Sequence, residues 1–74
     1  MAFDFSKLRG RIVEKFGTCA AFAEAVGLPR SALSDRLHNR VMIDSDEIIQ
    51  WSRPEVLDIP AEEIHNFFLT PKVR

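Results

Sequence analysis

Cys19, His38 and His65 are the side chains best suited to covalent or metal chemistry in this 74-residue chain. A cysteine beside a histidine can make a thiolate nucleophile, and all three are zinc-ligand types. Their spacing matches no ligand pattern, and isolated histidines are ordinarily surface or packing residues, so neither chemistry is expected. Glu62 and Glu63 offer two carboxylates, but residues adjacent in sequence at the start of a helix are accounted for by the positive helix end rather than by acid–base work. Gly10, Gly17 and Gly27 stand too far apart to form a phosphate-cradling loop. The residues therefore predict a protein that is not an enzyme, with no metal, no cofactor and no small-molecule substrate.

Binding must then be carried by the outside of a small fold. So short a chain buries only ~60% of the surface its unfolded form exposes, which allows one domain, residues 1–74, and one core. With 46% hydrophobic and 28% charged residues and three glycines, the composition is that of an ordinary globular domain. A single cysteine excludes an internal disulfide and fits a reducing cytosol. The opening MAFDFSKLRGR lacks an apolar signal region, and no run nears the ~20 apolar residues of a membrane span. A cytoplasmic location without a membrane partner is expected.

The net charge of −1 argues at first against a polyanionic partner. Its distribution argues otherwise. Residues 1–40 carry Lys7, Arg9, Arg11, Lys15, Arg30, Arg36 and Arg40 against Asp4, Glu14, Glu24 and Asp35. Residues 41–74 reverse the balance, with Asp44, Asp46, Glu47, Glu55, Asp58, Glu62 and Glu63 against Arg53, Lys72 and Arg74. A polyanion would meet the first part and be repelled by the second.

Five helices are predicted to present these charges. Phe5, Leu8, Ile12 and Phe16 recur at steps of three and four, giving a helix over 6–16 that Gly17 ends. Gly10 lies inside it at a cost of about 1 kcal/mol relative to alanine and marks a candidate close backbone approach. Thr18 is a good N-cap for a second helix through Val26, with Phe22, Ala23 and Val26 inward and Gly27 terminating. Leu28 and Pro29 are all that separates it from a third helix, Arg30 to His38, with Leu33 and Leu37 inward. A fourth begins at Asp44 or Ser45 and ends near Ser52, with Pro54 opening a short extra turn to Leu57. Pro60 opens a fifth with Ile64, Phe67 and Phe68 on its apolar side, and Thr70 to Arg74 is a short strand or a tail.

The segment from Cys19 to His38, CAAFAEAVGLPRSALSDRLH, is the most informative. Small Ala23 stands four before Gly27, with Phe22, Val26, Leu28 and Leu33 around them. Close crossing of two helices needs the small residue, and the tight join needs the glycine. Here the sequence resembles the lambda-repressor-like helix-turn-helix family, in particular short Cro-like phage regulators. FDFSKLRGRIVEKFG at the start and FFLTPKVR at the end extend the likeness over nearly the whole chain. It departs from the pattern at Pro29, where Ser or Thr usually caps, and at Arg36, a position often apolar in that family.

The resemblance implies an all-α, five-helix lambda-repressor-like domain whose third helix, around 30–38, reads the major groove of double-stranded DNA as a transcriptional repressor. Arg30, Ser31, Ser34 and Asp35 would face base edges: arginine donates to guanine, serine gives or accepts, and aspartate accepts from cytosine. Thr18, Arg36, Asn39 and Arg40 are the implied phosphate contacts. Cro-like proteins pair two half-sites about 34 Å apart, which implies a homodimer on DNA. Ile64, Phe67, Phe68, Leu69 and Val73 offer the apolar area for its contact, unless they complete the monomer core instead. The alternative function is a protein-interaction module that modulates another repressor, an antirepressor, through the acidic and apolar second half. Salt separates the two, because counterion release makes DNA affinity fall steeply with ionic strength.

Overall fold

The computed structural model describes residues 2–72. Its elements follow the order α1 (Ser6–Phe16), α2 (Cys19–Val26), α3 (Arg30–Leu37), α4 (Ser45–Ser52), a 3₁₀ turn (Ala61–Glu63) and α5 (Ile64–Phe68). Pro60, expected as the first helical residue, stands just outside at ψ 153°, so the fifth helix opens as the 3₁₀ turn. No strand forms among the described residues. Phe3 and Pro71 instead make a single antiparallel bridge, flanked by the Asp4 amide donating to Thr70 O at 2.8 Å and the Lys72 amide donating to Ala2 O at 3.1 Å. No helix among the described residues is long and apolar enough to cross a membrane.

Local chemistry sets most helix ends. The Asp4 carboxylate accepts from the Ser6 amide at 2.9 Å and from the Ser6 hydroxyl at 2.6 Å, steadying the entry to α1. Those two hydrogen bonds hold its carboxyl below the usual aspartate value. Because the folded-state value is the lower one, its contribution is present above the ordinary carboxylate range and is lost as pH falls through it. Gly17, at φ 84°, ends α1 by donating its amide to Val13 O. Asp44 and Glu47 cap α4 reciprocally, each side chain accepting from the other's amide.

Trp51 stands at the centre of the core, 1% exposed. Phe22 meets it edge-on at 5.1 Å and Phe68 lies 6.2 Å away, with Leu8, Ile12 and Leu57 filling in around them. Arg11 reaches from α1 to donate to Leu57 O and Asp58 O at 2.7 and 2.9 Å, closing the turn that follows Pro54. The same guanidinium sits 4.9 Å from the centre of the Phe67 ring, a favourable cation–π placement.

This packing corrects the expectation for the last helix. Phe67 and Phe68, predicted at a dimer contact, are each 2% exposed within their own chain. A helix of five residues is too short to form a separate face, and it survives by inserting both rings beneath α1 and α4. Ile64 also leans on the core, Leu69 remains 48% exposed, and Val73 lies outside the described residues.

Gly10 is corrected as well, for nothing lies within 4 Å of where its Cβ would be. With helical backbone and open space around it, Gly10→Ala should stabilise the protein by about 0.5 to 1 kcal/mol. Denaturant unfolding checks this, and a destabilised variant would reveal a contact at Gly10 that the fold lacks.

Candidate functional site

The α2–α3 unit is built around one small residue. Ala23 is 1% exposed and Leu33 from α3 is 3% exposed, both within the same core cluster. Gly27 takes φ 77°, and the Leu28 amide donates to Ala23 O at 2.8 Å while the Gly27 amide donates to Glu24 O at 3.2 Å. This is a Schellman ending, which only a residue tolerant of positive φ closes without strain. Pro29 follows at φ −60° and ψ 150°, and α3 starts at Arg30. A proline with its ring-fixed φ thus precedes the helix where a hydroxyl cap was absent.

Leu33 and Leu37 turn α3 inward, and Arg30 and Ser31 are exposed in its first turn. Between this surface and α1 lies an open groove of about 510 Å³, with Arg9, Arg30 and His38 on its rim. His38 Nδ1 is 2.8 Å from Ser34 O, an acceptor only, so Nδ1 carries the proton. His38 Nε2 then accepts from Arg9 Nη2 at 3.3 Å. Cys19 shares this groove, whereas His65 is on α5. Among the described residues no three His, Cys, Asp or Glu side chains gather as metal ligands.

Most of the polar residues singled out from sequence are tied within the chain. Arg36 donates from Nε to Glu47 Oε2 at 2.8 Å and from Nη1 to Ala32 O at 2.9 Å, and its side chain is only 17% exposed. Arg40 Nε donates to Asp35 Oδ1 at 2.8 Å, and Arg40 Nη2 lies 3.4 Å from Ser34 Oγ. Asn39 occupies the left-handed position after α3, at φ 63°. Its side-chain amide accepts from the Phe3 amide at 2.9 Å and donates to Phe3 O at 3.0 Å. Thr18 Oγ1 accepts from the Ala21 amide at 3.1 Å as the cap of α2. Only Arg30 and Ser31 of the expected set have no side-chain hydrogen bond among the described residues.

A second, apolar surface joins Leu69, expected at a contact, to Val41 and Met42, which the sequence pattern did not single out. Val41, Met42 and Leu69 are 42%, 81% and 48% exposed, and they border one groove with Phe3 and Ile48. Met42 and Val41 sit in a loop, where no helical periodicity signals a face.

Residues 1–71 match the family described as protein of unknown function (DUF739). The chain belongs to the DUF739 family. No curated protein matches this DUF739 chain. Among solved structures it is similar to the solution structure of the modulator of repression (MOR) of the temperate bacteriophage TP901-1 from Lactococcus lactis. The two share 36% sequence identity with a TM-score of 0.81, over 100% of this chain and 97% of that one.

The Arg36–Glu47 pair should be costly to break from one side. Arg36→Met leaves a mostly buried carboxylate without its cation and should destabilise the protein by about 2 to 4 kcal/mol. Adding Glu47→Gln, which keeps the α4 cap, should recover part of that loss. Chemical denaturation of the single and double variants measures both, and equal stability of parent and Arg36→Met would show the pair to be idle.

Proposed function

We propose that this DUF739 protein is a phage regulator that binds a repressor and modulates it, rather than a repressor that reads an operator itself. The observation that carries this reading is the internal engagement of α3 and its flank. Arg36 is held by Glu47, Arg40 by Asp35, and Asn39 by the Phe3 backbone. A DNA reader needs arginines free for phosphates and base edges. The excess of basic residues in 1–40 is opposed by the excess of acidic ones in 41–74, so the field that remains for a polyanion is local. The likeness to a modulator of repression along essentially the whole of both chains supports the same conclusion.

In this reading α2 and α3 form a helix-turn-helix of the lambda-repressor-like kind, supported by the tight Gly27–Pro29 join and the close packing at Ala23. The motif serves as a platform for a protein instead of a duplex. Exposed Val41, Met42 and Leu69 and the acidic second half of the chain add apolar and charged contact chemistry of the kind protein interfaces use. The protein acts in the cytoplasm of the phage's host, where the repressor works, and performs no turnover.

Two titrations test the proposal. Against the repressor encoded by the same phage, the protein should form a complex at micromolar concentration or tighter and lower that repressor's affinity for its operator. Against duplex DNA alone it should bind no better than the ~10⁻⁴ to 10⁻⁶ M of nonspecific contacts. Selection of a two-fold symmetric site from random duplexes by this protein alone, with no repressor complex, would overturn the reading.

A further inference from the structure

The groove between α1 and α3 carries a one-sided charge pattern. Half-buried Cys19 and Ala20 at the start of α2 form its apolar wall, with Leu33 and Leu37 almost wholly buried behind them. Arg9, Arg30 and His38 stand on its rim, and none of its lining residues is acidic. The salt bridges of the described residues use Arg11, Arg36 and Arg40, and no described carboxylate pairs with Arg9 or Arg30. Arg9 spends one nitrogen on His38, which leaves most of its five N–H donors for an acceptor outside the chain. Ser31 and Ser34 are the small side chains on the α3 side of the groove.

We infer that this groove receives an acidic segment of the partner repressor, one apolar side chain resting against Cys19 and Ala20 with a flanking carboxylate between Arg9 and Arg30. The inference rests on the reading that the protein binds a repressor. Charge complementarity selects the occupant: two arginines beside an apolar wall gain from a carboxylate that arrives together with the apolar group displacing water from that wall. A phosphate backbone would satisfy the arginines and leave the Cys19–Ala20 wall uncovered.

Calorimetric titration of the intact protein with the repressor of the same phage tests this. The parent is compared with Arg9→Glu/Arg30→Glu and with Arg9→Lys/Arg30→Lys, the fold of each being checked by amide NMR. Both arginines are exposed, so the core is untouched. Charge reversal should weaken the complex on the order of 30-fold or more, the lysine pair should stay within about fivefold of the parent, and added salt should narrow the gap. Unchanged affinity in the glutamate variant overturns the groove assignment and leaves the repressor reading standing. Failure of the parent itself to bind the repressor overturns both. Tight duplex binding by the parent that is lost on charge reversal makes the groove a phosphate site and likewise overturns the inference.

Discussion

The ion pair between Arg36 and Glu47 is the joint on which the use of the third helix depends. At eight residues α3 is far below the length at which a helix holds in water, so it exists by virtue of what it packs against. Leu33 and Leu37 supply the apolar part of that packing. Arg36 supplies the polar part, its guanidinium bonded to Glu47 and to the carbonyl one turn back at Ala32. Glu47 meanwhile accepts from the Asp44 amide and so starts α4. One carboxylate therefore seats two helices, and the arginine that seats them spends its Nε and Nη1 donors inside the chain.

The same economy runs through the surrounding residues. Asn39 ends α3 in the left-handed conformation that asparagine tolerates, and with its side chain pins the Phe3 backbone that also pairs with Pro71. Arg40 returns to Asp35. The flank of α3 is thus a polar network satisfied from within, while the neighbouring α1–α3 groove keeps Arg9 and Arg30 unmatched. A surface of this kind discriminates by shape and by a few charges, which suits a protein partner better than a long polyanion.

Much of the framework was legible in the residues. Apolar spacing located α1, glycines at 17 and 27 marked its end and the end of α2, Thr18 announced the cap of α2, and the start of α4 was legible to within Asp44 or Ser45. Ala23 and Gly27 foretold the tight crossing because close approach and positive φ each admit few residue types. Side-chain partners were not legible, since periodicity says which face a residue occupies and nothing about which distant group meets it there. Glu47 beside Arg36 and Phe3 beside Asn39 are tertiary facts. An arginine where the helix-turn-helix resemblance led one to expect an apolar residue was the one available sign, and its side chain is mostly buried. The apolar area of α5 misled for a related reason: Trp51, in a segment notable mainly for its prolines, makes the core larger than α1–α3 alone imply, and Phe67 and Phe68 complete it.

The central claim is that Arg36 on α3 and Arg40 just beyond it are engaged by Glu47 and Asp35 of the same chain and do not turn to DNA. Solution NMR of the arginine Nε–Hε groups during titration with duplex DNA tests it most directly. The Arg36 Hε resonance should be protected from exchange with water in the free protein, and it and the Arg40 resonance should stay in place as duplex is added. Rapid exchange of Arg36 Hε in the free protein, with both resonances moving together on addition of DNA, would contradict the account.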